Sequence, residues 1–352
     1  MTPSPISSND KQSSRSSLAI GQWVQQKQRQ CIDFLKETYK KLHDLSGTNF
    51  ELGIYHFEQG HITDAMMRFK ITIRFKPSHD MAHYYLGRCY LERNEHVNAV
   101  NHFHKALAIQ PNQAESHYML YCLDESFRTE NPYHHPIPSH IIQEYFGQIA
   151  QEYNRNSIEE NGYSLPDYVA EYLKQHVAMQ HEIRILDLGC GTGLLARSLQ
   201  HIHFPPCQMI GVDLSLDMLE QARALMTPGK ARLYTTTYQN EAMQFFNNYK
   251  QKLQAIVALQ TLHYVGDLKL FFTLIARNLD RDGIALFTTC DIKTTQDQTV
   301  INYQLSDNYQ YFEHNPEYVT KQIEQSGLQV KHHHIVSISP ERSARLWIIH
   351  QE

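Results

Sequence analysis

No run of about 18 consecutive apolar residues occurs in the 352-residue chain, so no membrane-spanning helix is expected. The first 17 residues, M-T-P-S-P-I-S-S-N-D-K-Q-S-S-R-S-S, lack the apolar core of a secretory leader and are expected to form a disordered tail. The six cysteines (31, 89, 122, 190, 207 and 290) contain no C-x-x-C pair. That excludes a zinc ribbon or a redox dithiol and points to reduced thiols in a cytoplasmic protein. Charge of one sign is also scarce. A net charge of −5 does not suit a surface built to track nucleic-acid phosphates, so nucleic acid is not expected as a partner. What remains, 41% hydrophobic and 20% charged residues over this length, describes a globular protein with room for two domains. Histidine is the one residue in excess, with 22 copies, three of them consecutive at His332-His333-His334. The triplet sits in a strand-like run, where successive side chains point to opposite faces. The three imidazoles therefore do not converge, and no metal site is expected.

Two copies of one pattern lie 34 residues apart. The first has Leu52-Gly53, Ala65, Phe69 and Pro77; the second has Leu86-Gly87, Ala99, Phe103 and Pro111. Gly and Ala suit a close helix–helix crossing, Phe the gap to the next repeat, and Pro the end of the second helix. The pattern, over 46–79 and 80–113, resembles the tetratricopeptide repeat. Two such units bury too little surface alone. Gln113 to Ser126 is expected to begin a third, and Leu18 to Leu45 (with Trp23, Ile32, Leu35, Tyr39 and Leu42) to add a helix in front. The helical domain is thus expected over 18–128, with a proline-rich linker at 129–139. The resemblance implies that this module grips an unidentified protein or peptide, with simple packing or self-association as the competing use.

The most informative run is Ile185 to Gly193, I-L-D-L-G-C-G-T-G. An apolar strand passes through Gly189, Gly191 and Gly193 into the helical pattern L-L-A-R-S-L. Such a turn is expected to present backbone N–H groups to a nucleotide. The spacing is G-x-G-x-G rather than G-x-G-x-x-G, and Asp187 inside the strand suits a positively charged group rather than a pyrophosphate. A second strand, Gln208 to Leu214, carries Asp213 at its end, twenty residues after Gly193, where an acid suits ribose hydroxyls. Ser215 is placed to cap the helix that follows.

Residues 140–352 resemble the class I S-adenosylmethionine-dependent methyltransferases, and in particular a bacterial subfamily that carries N-terminal tetratricopeptide repeats. The resemblance implies a Rossmann-like α/β fold with a seven-stranded, mostly parallel sheet whose last strand is antiparallel, preceded by the all-α domain. It implies S-adenosylmethionine as cofactor, with Asp187 and the three glycines at its amino-acid part, Asp213 on the ribose and Met218 against the adenine. Tyr153, in the spacing Phe146, Ala150, Tyr153, matches a lid segment of relatives, and also fits an ordinary amphipathic helix. Glu241, with Gln239 close behind, stands where relatives bind the adenine amino group; helix capping is the alternative. Gln260 lies at the end of the fourth strand, Leu253 to Thr261, where the methyl should be. There and at Gln254 relatives carry acids, and an amide cannot act as a base. His263, Tyr264 and His314 are the catalytic candidates. The expected strands are Arg232–Thr237, Gly283–Cys290, Gln329–Ile338 and Arg345–Gln351, besides those named, with Asp280–Gly283 as a turn and 292–314 as an irregular insertion. No N-P-P-Y run follows strand four, which argues against amino methylation of DNA bases. The implied activity is methyl transfer to a small-molecule or protein acceptor. The alternative is a scaffold that has lost its chemistry.

Overall fold

The computed structural model describes residues 26–36, 44–131, 133, 136–177, 182–292 and 301–351. The expected tail at 1–17, and Trp23, Tyr39 and Leu42 of the first expected helix, lie outside these residues. The chain divides into two compact units between Leu123 and Asp124.

In the first unit, the stretch 26–36 is helical (α1). Two antiparallel pairs follow, α2 (Leu45–Glu58) with α3 (Ile62–Phe75) and α4 (Asp80–Glu92) with α5 (His96–Ile109), and then α6 (Ala114–Leu123). The repeat glycines work as the sequence suggests. A Cβ on Gly53 would stand 2.5 Å from the Phe69 ring, and one on Gly87 would stand 2.7 Å from that of Phe103. Phe69 also stacks on Tyr85 of the second repeat at 5.4 Å, so it fills both the hairpin and the gap beyond it. A device not read from the sequence repeats as well. The His83 ring binds the carbonyl of Pro77 at 3.3 Å, and His117 binds that of Pro111 at 2.8 Å, each pairing six residues apart. The third repeat therefore keeps the entry contact of the second although it lacks the glycine.

The second unit starts with α7 (Glu125–Glu130), capped by the Asp124 carboxylate on Ser126 and Phe127 N–H, and α8 (Ser139–Ile149). A π-helical turn (Arg155–Glu160) and α9 (Leu165–His176) come next. The alternation β1 (Arg184–Leu188), α10 (Leu194–His201), β2 (Gln208–Asp213), α11 (Leu216–Ala224), β3 (Thr236–Gln239), α12 (Ala242–Asn248), β4 (Leu253–Ala258), α13 (Lys269–Asn278), β5 (Leu279–Asp291) then builds a parallel sheet in the order β3-β2-β1-β4-β5. After two short strands, β6 (Tyr303–Leu305) and β7 (Phe312–His314), come α14 (Pro316–Gln325) and the hairpin β8 (Leu328–Ser339) and β9 (Arg342–Gln351). β9 lies antiparallel on β5 and β8 antiparallel on β9, which completes the seven-stranded plan; β6 and β7 are an added pair on the end of β5.

Strand alternation divides the core. Ile185, Ala255 and Val257 face a layer with α9, α10 and α11, while Leu186, Ile256 and Ala258 face Phe245, Phe271, Phe272 and Val319 of α12, α13 and α14. Asp187 follows Ile185 and Leu186 near the end of β1 and is only 4% exposed.

Several boundaries differ from the sequence reading: β4 ends at Ala258 rather than Thr261, β9 begins at Arg342 rather than Arg345, and the insertion at 292–314 holds β6 and β7. β3 begins at Thr236, not Arg232, because the buried Tyr234 is used beneath the glycine loop instead of in a ladder. Asp280 to Gly283 continues β5, with the extra length absorbed by a bulge between Leu253 and Ala255. α8 stops at Ile149 and gives way to the π-helical turn, so Tyr153 lies past the helix. The segment read as linker, 129–139, contains Ile137, which is buried in this unit, and Tyr133, whose ring lies 6.1 Å from Phe312. In the triplet, His333 packs on Trp347 at 4.7 Å, while the rings of His332 and His334 lie 5.0 Å from one another. The six cysteines form no disulfide. No described helix is long and apolar enough to cross a membrane.

Candidate active site

A cavity of about 640 Å³ opens at the carboxyl ends of β1, β2 and β4, and α8 and the π-helical turn contribute to its wall. Its centre is the turn after β1. Gly189, Gly191 and Gly193 all have positive φ (67°, 53° and 88°), which side chains with a Cβ adopt at a cost. Their surroundings differ. A Cβ at Gly189 would collide with Thr261 Oγ1, and one at Gly193 would stand 2.6 Å from Leu225; at Gly191 it would meet nothing within 4 Å. Gly189 and Gly191 line the cavity. Gly193 does not: it lets α10 sit against Leu225 and Tyr234. The expected row of outward N–H donors is corrected. Gly189 and Cys190 N–H both donate to Val212 O, Gly193 N–H donates to Cys190 O, and Gly191 N–H donates to Asp213 Oδ2 at 2.8 Å. Three of these four donors turn back onto β2 and the fourth stays within the loop, so the loop offers close approach rather than a phosphate nest.

Asp213 lines the cavity at the end of β2. Its other oxygen accepts Ser215 N–H at 2.9 Å, and burial raises its pKa above the ordinary carboxyl value. Ser215 caps α11 through Met218 N–H, and the buried Met218 lies on the cavity wall. Asp187 does not line the cavity. Its carboxylate accepts the Tyr234 hydroxyl at 2.7 Å beneath the loop, and burial pushes its pKa up to about 7. Glu241 does line the cavity, but its two oxygens accept Met243 and Gln244 N–H at 3.0 and 2.7 Å. Capping α12 is therefore its visible use. The neighbouring Asn240 also lines the cavity, and its backbone N–H donates to Asp213 O at 3.0 Å. Gln239 ends β3 and donates to Leu214 O.

The far wall is aromatic. Phe146, Tyr153 and Tyr264 cluster, with Phe146 6.3 Å from Tyr153 and 5.7 Å edge-on from Tyr264. Thr192 Oγ1 donates to Asn154 Oδ1 at 2.5 Å, which ties this wall to the glycine loop. Gln260 lines the cavity in a left-handed conformation (φ 55°), held by its N–H on Thr288 Oγ1. Such strain in a non-glycine residue collects at functional sites. Gln254 does not share the cavity. It accepts Arg184 N–H at 2.8 Å and donates to Asp280 at 2.9 Å, two roles a carboxylate could not both fill.

Of the three catalytic candidates only Tyr264 reaches the cavity. His314 is fully buried, and its Nε2–H donates to Val265 O and Gly266 O at 2.9 and 3.1 Å; burial lowers its pKa to about 4. It is a neutral strut under the loop after β4. His263 is 1% exposed and is held well below the usual imidazole range by burial, then by Arg342. Its Nδ1 accepts Arg342 Nη2 at 3.1 Å. Arg342, which lies between the two closing strands expected from the sequence and was not singled out there, lines the cavity. Topology delivers it. β9 runs antiparallel to β5, so the tip of the β8–β9 hairpin lies at the carboxyl ends of the parallel strands.

Residues 143–333 match the family model described as a methyltransferase domain, and 81–113 match a tetratricopeptide repeat. The malonyl-[acyl-carrier protein] O-methyltransferase of Legionella pneumophila is 34% identical over 106 residues, which cover 30% of this chain and 36% of that protein. A ubiquinone biosynthesis O-methyltransferase of Rickettsia bellii is 24% identical over 35% of this chain and 48% of its own length. The chain thus spans about a third to a half of these two relatives. Magnesium protoporphyrin IX methyltransferase of Synechocystis PCC 6803, in a structure with bound S-adenosylmethionine, superposes with a TM-score of 0.46 at 13% identity, over 62% of this chain and all of that one. The domain match, over more than half of the chain, settles the family: the chain belongs to the methyltransferase-domain family, whose cofactor is S-adenosylmethionine, and carries a tetratricopeptide repeat ahead of that domain.

Proposed function

We propose that the cavity binds S-adenosylmethionine and that the chain transfers its methyl group to a small-molecule or protein acceptor. The observation that carries this reading is Gly191. It has a left-handed backbone, no atom where a Cβ would be, and its N–H fixed on the Asp213 carboxylate, so a ligand can lie directly on the main chain beside an acid. The cofactor fits these residues. Asp213 retains lone pairs for ribose hydroxyls, Met218 offers an apolar face to the adenine, and the Asn240 amide can read the adenine edge with a donor and an acceptor. Asp187 supports the loop through Tyr234. Tyr153 and Phe146 close the site against water.

When bound, the cofactor supplies a methyl group on a positively charged sulfur, an electrophile that needs no activation. The task left to the chain is alignment and exclusion of water. Gln260 and Tyr264 stand at the end of β4 to orient the acceptor. On the first unit, a groove along α3 carries the exposed Met67 and Phe75 beside Lys70 and Arg74, which supports recognition of an apolar, acidic peptide segment.

Calorimetry with S-adenosylmethionine and S-adenosylhomocysteine tests the cofactor site. Asp213→Ala is expected to weaken binding by about 1.5–3 kcal/mol, the range for hydrogen bonds to a charged group. Unchanged affinity would remove Asp213 from the site.

A further inference from the structure

The wall of the cavity near β5 holds a positive charge that no described residue neutralises. Arg342 Nη2 donates to His263 Nδ1 at 3.1 Å and approaches Cys290 Sγ at 3.7 Å; its guanidinium lies 4.2 Å above the Tyr311 ring. Each of these partners is neutral. Burial holds His263 unprotonated and raises the Cys290 thiol above its usual range. The Nε–H of Arg342 is buried and makes no hydrogen bond. Among the described residues Arg342 forms no ion pair; of the nearby acids, Asp291 is taken by Arg345, with contacts of 2.5 to 3.1 Å, and Glu313 accepts Gln304 Nε2 at 3.2 Å. A half-buried guanidinium left without an anion is costly, and the cost is recovered when a ligand brings one.

Among the described residues the same end of the cavity offers no base. Its described acids, Asp213 and Glu241, belong to the β2 and β3 side and are already engaged by backbone N–H groups. Tyr153, Tyr163 and Tyr264 are phenols whose pKa values burial pushes up. An acceptor that must lose a proton finds no described residue there to take it. An acceptor that arrives ionised needs nothing.

We propose that the methyl acceptor is a carboxylate, held by the guanidinium of Arg342 and methylated on oxygen. His263 is a positioning residue that fixes the guanidinium without cancelling its charge. One oxygen of the acceptor pairs with Arg342. The other donates its lone pair to the methyl carbon as the methyl–sulfur bond breaks and its electrons pass to sulfur. The products are a methyl ester and S-adenosylhomocysteine, and no proton moves. The placement suits this division. Three strand spacings, about 14 Å, separate β2 from β5, and Arg342 begins β9 on the far side of β5 and turns back to Cys290 at its end, so Asp213 and Arg342 stand on opposite sides of the cavity. This inference rests on the methyl-transfer reading of the cavity. A carboxylate could also come from the cofactor's own amino-acid part, and the test separates the two.

The full chain and its Arg342→Gln and Arg342→Lys variants are titrated with S-adenosylhomocysteine. The loaded proteins are then titrated with straight-chain carboxylates from butanoate to octanoate, malonate to pimelate, and the matching amides. Expected are equal S-adenosylhomocysteine affinity in all three proteins, within about twofold, which also shows that the variants fold. At least one carboxylate should bind the wild type ten times more tightly than its amide. Arg342→Gln should abolish that preference and Arg342→Lys retain part of it. With methyl-labelled S-adenosylmethionine, label transferred to that carboxylate should be released by alkali as volatile methanol. The proposal is overturned if no carboxylate binds the loaded protein, if the preference survives Arg342→Gln, or if the transferred label is stable to alkali. A tenfold loss of S-adenosylhomocysteine affinity in Arg342→Gln alone places the cofactor's carboxylate on Arg342 and also overturns it. Failure of the wild type to bind S-adenosylhomocysteine is a different result: it removes the methyl-transfer reading itself.

Discussion

A Cβ at Gly191 meets open space, whereas at Gly189 it runs into Thr261, although both residues are left-handed and two positions apart. The two should therefore respond differently to alanine. Gly191→Ala has only the backbone cost of a left-handed alanine, about 1–2 kcal/mol. Its new methyl group nevertheless occupies the ligand's side of the loop. Chemical denaturation should show this modest loss, with S-adenosylhomocysteine affinity down by at least tenfold. Gly189→Ala adds a clash to the strain and should lose more stability than Gly191→Ala in the same assay. Equal stability losses would show that the loop adjusts freely. That these glycines matter is plain in the spacing of the sequence; which one faces the ligand is not, because it depends on where Thr261 and Leu225 return in space. The same holds for Asp187 and Glu241, whose partners Tyr234 and the first turn of α12 decide what each carboxylate does.

Helix α4 meets α5 through a pair of imidazoles, His83 and His102, whose Nδ1 atoms are 3.0 Å apart, with Tyr90 stacked on the second ring at 5.4 Å. Burial is the main cause that lowers both pKa values, that of His102 to about 4. The unfolded chain binds these protons near pH 6.5, and the folded repeat refuses them until lower pH. The contribution to stability is thus complete above about pH 6.5 and is lost as pH falls toward 4. Thermal melts of the full chain should show the repeat transition dropping between pH 7 and 5, and His102→Gln should flatten that dependence. A slope that His102→Gln leaves unchanged would assign the effect to other groups. Element types were legible here from the 34-residue period, since it repeats the contacts of Gly and Phe. The histidine–carbonyl contacts at 83 and 117 were not, because a histidine among 22 carries no signal until its partner is known.

At the scale of the molecule, the second unit begins at Asp124, earlier than the prolines suggest. A chain beginning at Asp124 should bind S-adenosylhomocysteine like the full chain. One beginning at His140 loses the Tyr133–Phe312 contact and the Ile137 wall of the cavity, and should melt several degrees lower and bind less tightly. Equal melting and affinity would return 124–139 to the role of a tether. The mostly parallel, seven-stranded sheet was expected from the family resemblance, carried by the glycine turn after β1 and by Asp213 at the end of β2. Arg342 was not, since its importance comes from the direction of the last strand and not from any motif around it.

The π-helical turn at Arg155–Glu160 bears on how this chain tolerates changes in length. A π turn accommodates one residue more than an α turn, and such bulges stand at functional sites. Removing a single residue there would let the segment relax into an α-helix. Because each α-helical residue advances about 100° around the axis, everything between that turn and α9 would be re-aimed relative to Tyr153 and Asn154. The cavity would then lose the bond from Thr192 to Asn154 without any of its named residues being substituted. In a collection of single-codon deletions, this surface stretch should behave like an interior one.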